Sequence, residues 1–288
     1  MAMIERKDRN SRGRLQLKNF EHDWGARTLI MGIVNVTPDS FSGDGLLDTD
    51  AAVAHALLQQ KRGAAIVDLG AESTRPGFAP VDAEQEMTRL LPVVQKFRAA
   101  SQCPISIDTT KAEVLQAAVE AGADMLNSIW GLTPALLTAV EALKIPVVLM
   151  HNKEKAQYDG DVVDEVLAKL LQQAEAALKA GVKAEQIILD PGIGFGKTAE
   201  HNLRVLQSLP RLIALGFPTL LGTSRKSFIG QLTGKTATER VYGTAATVAL
   251  AVAAGIDIVR VHDVDAMVDV VKLADAVERG WRPDDWEC

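Results

Sequence analysis

Cysteines and long apolar runs are both scarce in this chain, and each scarcity excludes a class of protein. Only two cysteines occur among the 288 residues, Cys103 and Cys288, and they lie far apart without the spacing of a disulfide framework or of metal ligands. No apolar run reaches membrane-spanning length, and no signal peptide is visible at the start. These absences predict reduced thiols in a cytoplasmic protein that does not bind a membrane.

A net positive charge is also missing, since the chain carries a formal charge of -6. This balance argues against a general nucleic-acid binder. The 47% hydrophobic content is ample for a full core and fits one large α/β barrel or two smaller domains. No linker divides the chain, so we expect one domain over residues 20–281, with a polar tail at 1–19 and a second tail at 282–288.

Apolar runs typical of strands alternate with amphipathic stretches typical of helices. The predicted strands are 29–34, 64–69, 105–107, 123–126, 147–150, 187–189, 219–221 and 256–261. The predicted helices are 51–61, 83–99, 112–121, 134–143, 162–180, 199–215, 238–254 and 265–278. Eight strands, each followed by a helix, predict the α/β class and a single-domain (β/α)8 TIM barrel. A doubly wound open sheet is the alternative fold.

The segment 187–198 (IILDPGIGFGKT) has a short buried strand, a carboxylate at its end and a glycine-rich turn. A Walker A loop needs four residues between its first glycine and Gly-Lys-Thr, whereas Gly192 and Gly196 enclose three. The dinucleotide fingerprint also fails, because the glycines here recur at every second position. Two interpretations of this segment remain open. It is either an ordinary turn in which Asp190 is a capping carboxylate, or part of a ligand site.

Polar groups follow nearly every predicted strand. In a barrel, ligands are held by residues just past the strand ends. Those positions hold Asn35, Asp68, Asp108, Asn127, Met150 with His151, Asp190, residues 224–227, and Arg260 with His262. Single Asp or Asn residues here are often helix caps. A full ring is harder to explain by capping, so the pattern favours a site.

The ring has two chemical halves. One half offers hydrogen-bond acceptors and an amide, which suit a flat nitrogen heterocycle with an amino-amidine edge; it comprises Asp108, Asn127 and Asp190. The other half follows the seventh and eighth strands, where barrels often bind phosphate; it comprises Arg225, Lys226, Arg260 and His262. The sequence therefore predicts a heterocycle at the bottom of the site and a phosphate group near its mouth.

Two loops rich in glycine, proline and hydroxyl residues follow the first two predicted strands, at 35–45 and 72–77. They are read either as solvated loops or as lids that close over the reacting groups.

Six motifs in order give the chain a close resemblance to the dihydropteroate synthase family, from about residue 20 to residue 281. They are residues 32–41 (GIVNVTPDSF), 68–77 (DLGAESTRPG), 106–109 (SIDT), 190–197 (DPGIGFGK), 224–227 (SRKS) and 260–262 (RVH). The resemblance implies a dimeric (β/α)8 barrel. It also implies a transferase of folate biosynthesis, which is the target of sulfonamides. Such an enzyme joins 6-hydroxymethyl-7,8-dihydropterin diphosphate to 4-aminobenzoate with Mg²⁺, releasing diphosphate and 7,8-dihydropteroate.

The resemblance also implies a role for each matching residue. The pterin ring would be held by Asp108, Asn127, Asp190 and Lys226, with apolar contacts from Met150 and Phe195. Asn35 would meet Mg²⁺ and the diphosphate, and the anion-binding groups would be Arg75, Arg260 and His262. The 4-aminobenzoate region would comprise Phe41, Thr74, Pro76 and Ser227, above Lys226. Asp39 would stabilise the cationic pterin, and the catalytic set would be Asp39, Arg75, Asp108 and Lys226.

The chain departs from the family at two places. Ser128 stands where the family usually has aspartate after the pterin-binding asparagine, and residues 150–154 (MHNKE) differ from the usual segment after the fifth strand. Neither change falls on a residue matched to the pterin ring. Two alternatives to the synthase remain: a methyltransferase that passes a methyl group from methyltetrahydrofolate to cobalamin, and a pterin-binding homologue with reduced or lost catalysis.

Overall fold

The computed structural model describes residues 12–37, 48–72, 81–283 and 286. Within these ranges the strands are β1 (Arg14–Leu17), β2 (Phe20–Asp23), β3 (Leu29–Asn35), β4 (Ile66–Gly70), β5 (Ile105–Asp108), β6 (Met125–Ser128), β7 (Val147–Met150), β8 (Ile187–Asp190), β9 (Leu220–Leu221) and β10 (Ile258–Val261). The eight predicted strands correspond to β3–β10, each within a few residues of its predicted bounds.

These eight strands form one parallel sheet with the order β8-β7-β6-β5-β4-β3-β10-β9. A parallel bridge between Leu189 and Thr219 joins its two edges, and the Leu189 N–H donates to the Pro218 carbonyl at 2.9 Å. The sheet is therefore closed. The predicted single-domain (β/α)8 barrel is confirmed, and the open-sheet alternative is wrong.

Helices surround the barrel and return the chain between its strands. They are α1 (Thr49–Lys61), α2 (Ala83–Ala100), α3 (Ala112–Glu120), α4 (Pro134–Leu143), α5 (Val162–Lys179), α6 (Ala199–Gln207), α7 (Leu209–Ile213), α8 (Ser227–Thr233), α9 (Val241–Ala254) and α10 (Val264–Glu278). The helix predicted over 199–215 is divided at Ser208, because Pro210 lies in the first turn of α7. The short α8, between β9 and α9, has no counterpart in the sequence prediction.

The interior of the barrel is apolar at the amino ends of the strands. Alternate strand residues point to the same side of a sheet, so one layer takes one residue from each strand. The apolar members of this layer are Met31, Ile66, Met125, Val148, Ile188, Leu220 and Ile258, and all are buried. This layer closes the barrel from below, and any ligand site has to lie above it.

Part of the segment that the sequence predicted as a tail, residues 1–19, is folded: residues 14–17 form a strand before the barrel. This strand, β1, pairs with β2 in an antiparallel hairpin, and Leu15 and Trp24 are fully buried against the apolar lower layer. Arg12 donates to both carboxylate oxygens of the buried Asp257, at 2.6 and 2.7 Å. The hairpin strands are four residues long and carry charged side chains, so their apolar pattern is too short to predict a strand.

In the part of the chain that the structure describes, no helix combines the length and the apolar character needed to cross a membrane.

Trp24 is the largest side chain that closes the lower end, and its indole N–H donates to the Glu185 carbonyl at 3.0 Å. We predict that Trp24→Ala lowers the free energy of unfolding by about 3–5 kcal/mol, because it opens a cavity below the apolar layer and leaves that carbonyl without its donor. Urea denaturation followed by circular dichroism measures this. Trp286→Ala is the control, since that side chain is exposed and its loss should change stability by less than about 0.5 kcal/mol.

Candidate active site

The polar residues predicted at the strand ends lie directly above the apolar layer. Each follows a lower-layer residue by two positions, so its side chain enters the same interior. This upper layer consists of Ile33, Asp68, Asp108, Asn127, Met150, Asp190, Gly222 and Arg260. The upper layer carries three carboxylates, an amide and a guanidinium above a largely apolar lower layer, and it forms the floor of the candidate site.

Arg260 is the centre of this layer. Its Nε donates to Asp68 Oδ2 at 2.6 Å, and a terminal guanidinium nitrogen donates to Asp108 Oδ2 at 3.0 Å. The sequence placed Arg260 with the phosphate-binding half and Asp108 with the heterocycle-binding half. The structure joins the two halves through this guanidinium, so one network of charges spans the interior.

Asp68 is the member of this network to which sequence reasoning assigned no role. It is fully buried, and its Oδ2 also accepts a hydrogen bond from Asn127 Nδ2 at 3.1 Å. An ionised carboxylate can only accept, so this contact fixes the orientation of the Asn127 amide and directs its oxygen elsewhere. The position of Asp68 at a strand end, in the ring of polar groups, was the available signal.

Asp190 ends β8 and faces the same interior. Its Oδ1 accepts from the backbone N–H of Gly192 at 2.7 Å, which closes the turn directly below the carboxylate. A Cβ at Gly192 would lie 1.9 Å from the His151 carbonyl oxygen, and φ there is +68°, so only glycine fits. The glycine-rich turn therefore holds a buried carboxylate against the neighbouring strand end.

Lys226 approaches the site from the loop between β9 and α8, and its Nζ lies 3.9 Å from the centre of the Phe195 ring. The preceding residue, Arg225, has a positive φ of 57° and donates to both carboxylate oxygens of Asp263, at 2.9 and 2.5 Å. This paired contact holds a strained backbone in place. Arg225 therefore fixes the loop that carries Lys226 and is not a free anion-binding group.

The remaining described candidates lie at the strand ends or just past them. His262 follows β10, and its backbone N–H and Nδ1 lie 3.1 and 2.9 Å from Ser224 Oγ. Ser227 is exposed at the start of α8, Asn35 ends β3 and is half-buried, and Met150 ends β7 and is buried beside Asp190. The candidates Asp39, Phe41, Thr74, Arg75 and Pro76 lie outside the described residues, as do most of the two predicted lid loops.

Burial changes the acidity of the groups in the upper layer. It raises the pKa of Asp108 to about 7 although Arg260 opposes the shift, and it raises the pKa of Asp190 to about 6 against the Gly192 hydrogen bond. Burial, with the charge of Arg260, lowers the pKa of Lys226 to about 8. The pKa values of these three groups therefore lie close to pH 7 before any ligand arrives.

Two carboxylate oxygens in the layer are buried without a hydrogen-bond partner among the described residues, Asp68 Oδ1 and Asp108 Oδ1. An orphaned buried acceptor is costly, and such groups concentrate where a ligand supplies the missing donor. With Asp190, they form an acceptor-rich floor beside the cations Arg260 and Lys226. This arrangement suits a planar ring with several N–H groups.

Ser128, the departure from the family pattern, has a local hydrogen bond. Its Oγ donates to the Gly131 carbonyl at 2.6 Å, and the Gly131 N–H donates back to the Ser128 carbonyl at 3.3 Å. An ionised aspartate cannot donate to that carbonyl, so this turn is closed by a bond that the family's usual residue cannot make.

Comparison with known proteins assigns the class. Residues 31–262 match a family described as pterin binding enzyme. The curated dihydropteroate synthase of Synechocystis is 47% identical over 270 residues, covering 90% of this chain and 92% of that protein. The chain therefore belongs to the pterin-binding enzyme family.

Solved structures of dihydropteroate synthases share this fold. The dihydropteroate synthase of Xanthomonas albilineans with 4-aminobenzoic acid is 43% identical, with a TM-score of 0.86, covering 94% of this chain and 99% of that chain. A second structure of that enzyme is in complex with 7,8-dihydropteroate. The Yersinia pestis enzyme with a sulfonamide drug is 36% identical, with a TM-score of 0.88, covering 93% of this chain and 100% of that chain.

We predict that Asp190→Asn weakens the binding of a pterin but stabilises the folded protein at neutral pH. The amide places a donor where the ring N–H needs an acceptor, so calorimetry should show pterin affinity weakened by about 2–3 kcal/mol.

The stability effect has the opposite sign because the pKa of Asp190 is higher in the folded protein, at about 6, than the ordinary 3.8. The wild type therefore loses stability as pH rises from about 4 through about 6, and the variant does not. Above pH 7 we expect the variant to be more stable by about 1–3 kcal/mol in urea denaturation. Unchanged affinity, or a variant that is less stable at neutral pH, would contradict this assignment.

Proposed function

We propose that this protein is a dihydropteroate synthase, a transferase of folate biosynthesis. It joins 6-hydroxymethyl-7,8-dihydropterin diphosphate to 4-aminobenzoate. The C–O bond to the diphosphate breaks, the amine nitrogen forms a new bond to the same carbon, and the nitrogen releases a proton. The relatives named above support this activity, and the carboxylates buried in the upper layer are the single structural observation that carries it.

The site chemistry supports the pterin half of the reaction. The N–H groups of the pterin ring suit the acceptors of Asp108 and Asp190, with the Asn127 amide, oriented by Asp68, beside them. As diphosphate leaves, positive charge spreads over the ring. Carboxylates held in a buried layer stabilise that charge more in the transition state than in the ground state. Met150 and Phe195 would bound the ring on its apolar faces.

The anion half is proposed from Arg260, His262 and Arg75, together with the loop that carries Lys226. Arg260 has five N–H donors, so its bonds to Asp68 and Asp108 leave further donors for a ligand. His262 is held in place by Ser224 at the carboxyl ends of β9 and β10, where barrels commonly bind phosphate. The amine of 4-aminobenzoate then needs position more than a strong base.

We also propose that the reaction uses Mg²⁺, held by Asn35. Among the described residues there is no group of three or more His, Cys, Asp or Glu side chains placed to hold a metal. A site with one protein oxygen, that of Asn35, suits Mg²⁺, because this ion commonly takes one or two protein oxygens and completes its shell with phosphate oxygens and water. When bound, it would neutralise charge on the leaving diphosphate.

The aminobenzoate site is proposed around Ser227, at the exposed start of α8, with Phe41, Thr74 and Pro76 from the two loops and Lys226 between this site and the pterin. Sulfonamides, of which one is bound in the Yersinia pestis enzyme, would compete there. Asp39 is proposed to act on the cationic pterin from the loop after β3.

A homodimer is the proposed assembly, supported by exposed apolar side chains on the adjacent helices α9 and α10. They are Tyr242, Leu250, Leu273 and Val277, whose exposed fractions are 86%, 67%, 69% and 73%. Large exposed apolar side chains grouped on neighbouring elements mark association surfaces. A cytoplasmic location is proposed from the scarcity of cysteine and from the Cys103 thiol, which is buried and unpaired.

The dimer proposal predicts that Leu273→Glu with Val277→Glu converts the protein to monomers, because two charges would enter the apolar contact. Sedimentation velocity measures the mass. Leu178→Glu on α5 is the control, since its side chain is 40% exposed on a different helix and its change should leave the mass unaltered. A wild-type protein that sediments as a monomer would refute the dimer.

The activity itself is tested by diphosphate release from the pterin substrate. A synthase releases diphosphate only when 4-aminobenzoate is present, a cobalamin methyltransferase releases none, and a homologue without catalysis binds the pterin without release. We predict release that depends on 4-aminobenzoate and is inhibited by a sulfonamide.

Lys226→Ala should lower kcat/KM for both substrates by about a hundredfold or more, roughly 2.7 kcal/mol, because Lys226 lies between the two proposed sites. Lys235→Ala is the matched control, an exposed lysine after the same strand, and should leave kcat/KM unchanged. Full kcat/KM in Lys226→Ala would remove Lys226 from the site.

A further inference from the structure

Lys197 lies in the glycine-rich turn after β8, and its ammonium group is held by three acceptors. Nζ donates to the carbonyls of Gly192 and Phe195 at 2.9 and 3.1 Å, and it lies 2.9 Å from His151 Nδ1. An ammonium group has three N–H donors and no acceptor. All three donors are therefore used, two within the turn and one on the residue that follows β7.

The acceptor ring of His151 is itself fixed. His151 is buried, and burial, with the charge of Lys197, lowers its pKa to about 3, so the ring is neutral and Nδ1 can accept. Its ring stacks on Tyr158, with centroids 6.2 Å apart, and Tyr158 Oη donates to the Gly196 carbonyl at 2.9 Å. One side of the turn is thus held at three carbonyls, by Lys197 and Tyr158 together.

The opposite side of the turn carries the residues proposed to meet the pterin. The Phe195 ring lies 3.9 Å from Lys226 Nζ, and a Cβ at Gly194 would come within 3.0 Å of Lys226 Cδ. The Phe195 carbonyl, on the same residue as this ring, is one of the two that Lys197 holds. A rotation of that peptide would move the ring from beneath Lys226.

We propose that Lys197 is a positioning residue for the pterin site: by holding the Gly192 and Phe195 carbonyls against His151, it sets the orientation of Phe195 and, through it, of Lys226. The inference rests on the proposed function only for the identity of the ligand. Lys197 touches neither reacting group and acts through the shape of the turn.

The two nearby lysines differ in a way that provides a control. Lys153 also contacts this cluster, with Nζ 4.3 Å from the Tyr158 ring centre, but it bonds to the Gln157 carbonyl and to Glu165. Its side chain holds no carbonyl of the turn. Lys153→Met therefore removes a lysine side chain from the same neighbourhood without releasing the turn.

The test is a double-mutant cycle on the affinity for pteroic acid, measured by calorimetry on the full chain. Lys197→Met should weaken binding at least tenfold, and Lys153→Met less than twofold. In a Phe195→Ala background, Lys197→Met should cost less than threefold, because the ring that it orients is gone.

A tenfold loss that persists unchanged in the Phe195→Ala background, or no loss in the single variant, would overturn the proposal. If Lys197→Met does not fold, the same cycle with Tyr158→Phe, which removes only the bond to Gly196, decides by the same criterion of non-additivity. Failure of the wild type to bind pteroic acid would instead overturn the proposed function, so the two failures are distinguishable.

Discussion

Arg260 carries a guanidinium into the interior of the barrel, where a charge destabilises the fold unless opposite charges and hydrogen bonds surround it. Asp68 and Asp108 supply the opposite charges and accept hydrogen bonds from Arg260. The Asp68 oxygen that accepts from Arg260 also accepts from Asn127 and so orients its amide. Removing one partner of such a group typically costs about 3–5 kcal/mol, because the other charge is left uncompensated. Asp108, which is proposed to bind the pterin, is therefore held in place by the same interaction that allows the arginine to be buried.

The position of this network follows from strand geometry. Interior residues recur at every second position, so each strand contributes one residue to the lower layer, apolar in all but β5, and one further residue to the upper layer. Met125 precedes Asn127 in this way, and Ile188 precedes Asp190. The hairpin of β1 and β2 closes the lower end with Leu15 and Trp24, which leaves the carboxyl ends of the strands as the open face. The apolar residues that close the barrel thus lie at one end of its axis, and the residues of the candidate site lie at the other end.

The sequence alone was sufficient for the barrel, because eight apolar runs with helical stretches between them form a strong periodic signal. It did not predict the β1–β2 hairpin, whose four-residue strands are too short and too polar to show a period. Strand-end positions identified Asp108, Asn127 and Asp190 as neighbours, yet the bond between Arg260 and Asp68 joins residues 192 positions apart and depends on the closed geometry. The sequence motif at 190–197 includes Lys197 but does not indicate its role, since its three acceptors are brought together only when the turn is folded.

The upper layer holds carboxylates at an energetic cost before substrate arrives, and their protonation measures that cost directly. Carbon-13 NMR titration of the aspartate carboxyls in the ligand-free protein, assigned with Asp108→Asn and Asp190→Asn, reports each midpoint. The structure predicts a midpoint of about 6 for Asp190 and about 7 for Asp108. Midpoints near 4 for both, as in exposed aspartates, would contradict a buried, preorganised floor.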